Sequence, residues 1–463
     1  MTFINKDFLL QNPLAVRLYH EVAKDLPIID PHNHLNIEAL AKNEKFENIY
    51  QLWVKPDQYK HRAMRNCGIP ENLITGNAPD FDKFKAWASV VKKTAVNPLF
   101  HWSCMELKDL FGIDEILTTD NAGEIYDTAN EFLKKEEFSG LNILKKWNVE
   151  TLCTSDDLLD NLEYHIAFKK RGEKMVCLPS MRGDTIIAFD KPGFLPWLNK
   201  LQTLTNINVT NLSSYKEAIS ERLDFFDKSG CLLSDHSFDS GYKYIYTGEE
   251  DAEKLFLQFL EQKHISEDDC IKLKSHFIHF LGIEYARRNW KMQLHIGAER
   301  FTSTKLRQKA GATGGFACIG NTVDVRSICS FIDNLDMADG LPKTILYTLN
   351  PADNTVFASL TGSYSEDGVA GKIQYGPAWW FNDHYEGIIQ QIKSLAYYGL
   401  LSLSIGMTTD SRSILSFLRH DYFRRILCNQ ISIWVQEQQL PDDWELSSTL
   451  VKNISYYNIK NWL

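Results

Sequence analysis

From residue 147 onward, short apolar runs alternate with amphipathic segments of helix length, and this alternation constrains the fold more than any other feature of the chain. Strands that alternate with helices form a parallel sheet, because each crossover returns the chain to the same end. The runs read as strands are 149–154, 174–180, 230–234, 291–296, 343–349, 371–376 and 402–408, and 27–30 brings the number to eight. Segments 214–228, 250–288, 322–338, 383–399 and 413–436 are long enough to cover such a sheet, and 250–288 has room for two helices. Eight strands, each followed by helix, make the α/β class and the (β/α)8 TIM barrel, whose chemistry sits at the carboxyl ends of the strands. A helix over 7–24 leads into the first strand. Residues 36–146 read as a helical insertion, with apolar periodicity through 47–54, 81–93 and 104–113 and breaks at Asn77-Ala78-Pro79 and Asn97-Pro98. The chain thus divides into 1–35 (N-terminal helix and first strand), 36–146 (insertion) and 147–463 (the rest of the barrel).

The strand-end rule turns scattered polar residues into a candidate site. The predicted ends carry His32 and His34, Ser155, Arg182, Asp235 and His236, His295, Asn350, Trp379 and Trp380, and Asp410 with Arg412. In Ile28-Ile29-Asp30-Pro31-His32-Asn33-His34, Pro31 cannot donate to a ladder and so ends the strand. Alternation in extended chain then aims both imidazoles the same way. Two such nitrogens suit a divalent ion, which zinc meets at roughly 2.0–2.1 Å; hydrogen bonding at a strand end is the plainer use. In a closed barrel the last strand lies beside the first, which makes Asp410 the third ligand, against an ordinary helix cap. Arg182 and Arg412 offer guanidinium forks for a carboxylate, or a salt bridge with Asp184 or Asp410. Asp235-His236 reads as an acid/base pair or as a turn, and His295 as a partner of the metal or of a substrate hydroxyl, or as structural. The glycine-rich loop 310–315 lacks the residues of a phosphate loop, and the helical spacing of His420 to Leu427 points to packing and salt bridging.

Composition removes other classes. A formal charge of −10 opposes a nucleic-acid surface, and the longest uncharged run, Ser394 to Thr409, is too short and too polar to span a membrane. Nine cysteines without a CxxC pair imply neither a disulfide framework nor a cysteine zinc site and point to a reducing cytoplasm. The N-terminus lacks the basic start and apolar core of a signal peptide.

Taken together, several stretches resemble the uronate (glucuronate) isomerases of the amidohydrolase superfamily over nearly the whole chain. They are Asp30-Pro31-His32-Asn33-His34, Tyr59-Lys60-His61-Arg62-Ala63-Met64-Arg65, Asn97-Pro98-Leu99-Phe100-His101-Trp102, Ser234-Asp235-His236, Gln293-Leu294-His295-Ile296-Gly297-Ala298, Trp379-Trp380-Phe381-Asn382-Asp383 and Thr409-Asp410-Ser411-Arg412-Ser413. The resemblance implies a distorted (β/α)8 barrel and interconversion of D-glucuronate with D-fructuronate and of D-galacturonate with D-tagaturonate. It implies metal binding by His32, His34 and Asp410. Catalytic roles fall to Asp410, Tyr59, His32 and Arg412, and substrate binding to Arg182, Asp235, His295 and Trp379. Tyr59 lies in the insertion, which the resemblance therefore makes a lid. The cofactor implied is a divalent metal, zinc by preference, not strictly required for turnover. The partner implied is a small-molecule uronate, with neither nucleic acid nor membrane; a homo-oligomer is compatible with it.

An aldose-ketose shift needs a base near C2 and positive charge beside the oxygens. Asp410 is the candidate base, working with Tyr59, while the ion or the arginines stabilise the oxyanion. A metal-dependent hydrolase is the rival activity. It is weakened by Ser234-Asp235-His236, where many hydrolases of the superfamily carry a metal-bridging lysine. A catalytically dead sugar-acid binding barrel is the second rival, against which stands the full set of acid, base and ligand residues.

Overall fold

The computed structural model describes residues 3–311 and 314–463. Its strands in chain order are β1 (Ile28–Asp30), β2 (Val149–Cys153), β3 (Asp156–Asp157), β4 (Val176–Leu178), β5 (Ser180–Arg182), β6 (Leu233–Phe238), β7 (Lys291–Ile296), β8 (Ala298–Glu299), β9 (Cys318–Ile319), β10 (Thr344–Thr348) and β11 (Ile373–Tyr375). All pairs are parallel except the small β8–β9 hairpin. One sheet runs β1-β2-β4 and another β11-β10-β7-β6-β5-β3. They meet at Pro179, which lies between β4 and β5 and has no N–H to offer the ladder. The predicted strand 174–180 is thereby split in two, β4 pairing with β2 and β5 with β6. This break is one of two distortions of the barrel.

The predicted eighth strand, 402–408, is not a strand. Leu401–Leu403 forms a 3-10 turn, and the chain then runs without ladder pairing to Asp410. Its hydroxyls take the place of backbone bonds. The hydroxyls of Thr408 and Thr409 each donate to the carboxylate of Asp30 at 2.6 Å, and the amide of His32 donates to Thr408 Oγ1 at 3.1 Å. Two backbone bonds complete the seam, Asp410 N–H to His32 O (3.1 Å) and His34 N–H to Ser411 O (3.0 Å). Gly406 has φ +82°, and a Cβ there would come within 2.3 Å of the carbonyl oxygen of Ile454, so only glycine fits the bend. Ile405 packs with Ile29 of β1, Ile345 of β10 and Trp462 of the C-terminal helix, so apolar packing holds this seam where the ladder does not.

Between β1 and β2 the described residues form helices only, including Gln58–Asn66, Asp80–Val91, Pro98–Phe111 and Ala122–Leu133. Trp53, Phe84 and Trp87 of this segment are fully buried and join the same hydrophobic core as the barrel helices. The 250–288 stretch is two helices, Glu249–Leu260 and Glu267–Arg287.

Candidate active site

β6 runs on to Phe238, four residues past the predicted end at 234, and this register separates two neighbours. Parallel pairing sets Asp235 against Gln293 and Ser237 against His295, while His236 falls on the opposite face. His236 is fully buried with Nε2 2.9 Å from the hydroxyl of Tyr285, in the covering helix Glu267–Arg287, and burial lowers its pKa to about 4. The expected Asp235-His236 acid/base pair is therefore not formed: one side chain faces the barrel interior and the other the helices.

At the mouth of the barrel a cavity of about 370 Å³ opens. His32, His34, Tyr59, Ser155, Arg182, His295, Trp379, Trp380, Asp410 and Arg412 of the predicted set line it. Asp410 is its centre. One carboxylate oxygen, Oδ1, lies 3.0 Å from Nε2 of His34 and 3.3 Å from Nε2 of His32; the other, Oδ2, accepts from the indoles of Trp379 and Trp380, the latter at 2.5 Å. Asp410 has φ +42° and Trp380 φ +51°, a conformation seldom taken by side-chain-bearing residues and often stored at functional sites. Burial opposes the charge on Asp410, but the hydrogen bonds from the two histidines outweigh it and hold its pKa well below the usual carboxylate range. On His32 burial is outweighed by the bond to Asp410 together with the charges of Asp235 and Asp410, and the pKa is raised; on His34 burial, joined by repulsion from His32 and Arg412, lowers it.

The donors of His32, His34 and Asp410 lie within 4.8 Å of one another. Two nitrogens and one carboxylate oxygen brought together, with the other oxygen of that carboxylate already fixed by two indoles, fit a divalent cation. A second trio, His32, Asp235 and His295, shares one of these histidines. His295 is stacked on Tyr347 at 4.6 Å, and its pKa is driven well below 6.5 by burial, so it is neutral; its Nε2 has no hydrogen-bond partner among the described residues. Beneath it the hydroxyl of Tyr347 donates to Gln293, which in turn donates to the carbonyl of Pro31 at 3.1 Å and so fixes the turn that carries His32.

The arginines differ in what they have left to offer. Arg182 is committed: Nε and Nη2 hold Asp184 at 2.9 and 2.7 Å, Nη1 reaches Asp235 at 3.2 Å, and Nη2 also donates to Ser237. Asp235 is fully buried beneath it, accepting from Ser155 and Ser180 as well. Arg412 has no ion-pair or hydrogen-bond partner among the described residues and stands exposed at the cavity wall. Asn350 is turned away, capping its own 3-10 turn and bonding to the carbonyl of Gly320.

No site role was read from the sequence for Arg62, Arg300, Phe301 or Phe316, which also line the wall. Arg300 follows the short strand β8, holds Asp239 at 2.6 Å and lies over Trp380. Arg62 donates to the carbonyls of Gly315 and Ala317, pinning the glycine-rich loop to the helix of Tyr59. Residues 312 and 313 of that loop lie outside the described residues. The strand-end rule does not reach these groups, which sit on loops and on the insertion; of them only Arg62 falls within a stretch of the family resemblance, beside Tyr59.

The glucuronate isomerase family model matches residues 1–463. The chain belongs to the glucuronate isomerase family. Within it, the uronate isomerase of Bacillus licheniformis is 44% identical over 460 residues, 99% of this chain and 97% of that one. The uronate isomerase of Caldanaerobacter subterraneus is 43% identical over 462 residues, covering 100% and 99%. The solved uronate isomerase of Thermotoga maritima superposes with a TM-score of 0.94 at 30% identity over the whole of both chains. The glucuronate isomerase fold therefore extends through the insertion as well as the barrel.

Proposed function

We propose that this enzyme interconverts D-glucuronate with D-fructuronate, and D-galacturonate with D-tagaturonate. The observation that carries the reading is a single cavity that presents an ionised carboxylate, a tyrosine and an arginine with a free fork. In the open-chain aldose, Asp410 takes the proton from C2. The electrons of that bond form the C1–C2 double bond, and O1 gains a proton to give an enediol. Return of a proton to C1, with loss of the O2 proton, leaves a ketone at C2. The change is internal and needs no redox partner.

Arg412 takes the substrate carboxylate, its guanidinium being uncommitted. Tyr59, whose pKa burial raises well above 10, stays protonated and relays the proton between O1 and O2. Arg182 stands beside Asp235 and Ser237 to orient hydroxyls, with His295 and Trp379 lining the same side of the pocket. His32, His34 and Asp410 would hold a divalent ion, zinc by preference, which when bound supplies positive charge near the substrate oxygens. Residues 36–146 act as the lid. With nine free cysteines and no described helix long and apolar enough to cross a membrane, we place the enzyme in the reducing cytoplasm.

The hydrolase alternative is disfavoured: Ser234 and Asp235 stand on β6 where a metal-bridging lysine would be needed. Incubation of metal-loaded protein with D-glucuronate, followed by ketose detection, tests the reading. Ketose formation supports it; turnover of ester or amide substrates without ketose would replace it with the hydrolase.

A further inference from the structure

Behind Tyr59 lies a buried cation that the reaction above does not use. Arg419, in the helix Leu418–Gln436, is 2% exposed. Its guanidinium sits 3.9 Å from the ring centre of Trp102 and 5.6 Å from that of Tyr59. Nη1 donates to Asp383 at 3.3 Å and reaches the carbonyl of Thr409 at 3.5 Å, while Nε and Nη2 have no hydrogen-bond partner among the described residues. A buried guanidinium with two idle donors is an expensive way to fill space, since apolar side chains of similar volume do so at lower cost. Stability alone does not account for it.

What Arg419 touches does. Tyr59 is on the helix Gln58–Asn66; Asp383 follows Trp380, whose indole holds Asp410; Thr409 immediately precedes Asp410. One cation thus joins the three segments that carry the tyrosine, the indoles and the carboxylate. The start of the tyrosine's helix is fixed from the other side. Asp57 caps the amide of Tyr59 at 2.9 Å and pairs with the buried Lys60 at 2.6 Å, and Lys60 lies 3.7 Å from Glu106 of the helix Pro98–Phe111, which also contributes Trp102.

We propose that Arg419 is a positioning residue that seats the Tyr59 ring against Asp410, locking the lid helix to the barrel in the geometry proton transfer needs. The proposal rests on the catalytic reading of Tyr59, and a double-mutant cycle separates the two. Steady-state kinetics with D-glucuronate are measured for the metal-loaded wild type, Tyr59→Phe, Arg419→Lys and the double variant, with thermal unfolding and metal content as controls. Lysine keeps the charge and loses the planar fork. Arg419→Lys is expected to lower kcat roughly 10- to 100-fold, the cost of a misplacement of about 1 Å, with KM and metal content unchanged. In the Tyr59→Phe background the same substitution should cost nothing more. Equal fold-losses in both backgrounds overturn the proposal, as does an unaltered kcat in folded Arg419→Lys. An undiminished kcat in Tyr59→Phe alone overturns the reading of Tyr59 itself. Should Arg419→Lys not fold, Asp383→Asn weakens the grip on the same guanidinium; its smaller loss must likewise vanish beside Tyr59→Phe, and an additive loss refutes the proposal.

Discussion

Arg412 and Tyr59 carry the sharpest residue-level expectations. Arg412→Lys retains the charge but cannot form a bidentate contact, and loss of a charge-assisted bond of about 1.5–3 kcal/mol corresponds to roughly 10- to 150-fold in kcat/KM. If the contact is to the substrate carboxylate in ground and transition states alike, the loss appears as a raised KM with kcat little altered. A lowered kcat at constant KM would move the arginine to the developing oxyanion instead. Tyr59→Phe should lower kcat at least about 100-fold, the lower end for a lost acid/base group, with KM nearly constant; unchanged kcat and KM would remove the tyrosine from the reaction. His32 and His34 were readable because alternation in extended chain is local. Asp410 became readable once the barrel was closed, as it is non-local by 376 residues in its contact with His34. Tyr59 could be placed only by resemblance, since no periodicity in a helix says which barrel mouth it will cover. His236 was misread because the strand ran further than its apolar residues, and a polar strand interior leaves no hydrophobic edge to see.

Among the elements, the loop that meets the tyrosine's helix is the most exposed to test. Gly315 has φ +77°, and a Cβ there would lie 2.5 Å from the carbonyl oxygen of Gln58. Arg62 makes two backbone bonds to the same loop, at 3.2 and 2.6 Å. Removing them with Arg62→Ala should lower kcat/KM by roughly 5- to 30-fold, equivalent to about 1–2 kcal/mol. The thermal midpoint should barely move, because the bonds tie a peripheral loop and leave the core intact. A drop in midpoint with unchanged kcat/KM would make the arginine a stability device. The barrel strands were legible as apolar runs, but the seam at 404–410 was not: its apolar content resembled a strand, while its bonds go to threonine hydroxyls and Asp30. Pro179 stood in plain sight, yet whether a proline ends a strand or splits it depends on what pairs on either side.

For the molecule as a whole, one buried group away from the cavity links stability to pH. Asp156 is 9% exposed; burial raises its pKa from 3.8 to about 7, while the Thr154 hydroxyl, donating at 2.7 Å, pulls the other way. The folded state therefore binds this proton more tightly than the unfolded chain. Its contribution to stability is complete below pH about 3.8 and is lost as pH rises through about 7, a change of up to about 4 kcal/mol. Asp156→Asn should accordingly gain on the wild type in urea unfolding as pH goes from 5 to 8; a difference independent of pH would show that the carboxyl is charged in the fold throughout. The reaction itself turns on the hydrogen at C2. D-glucuronate deuterated at C2 should be converted to ketose more slowly than the protiated sugar, with the label recovered at C1 or in solvent. Consumption of the substrate with the deuterium still on C2 would contradict the isomerase account.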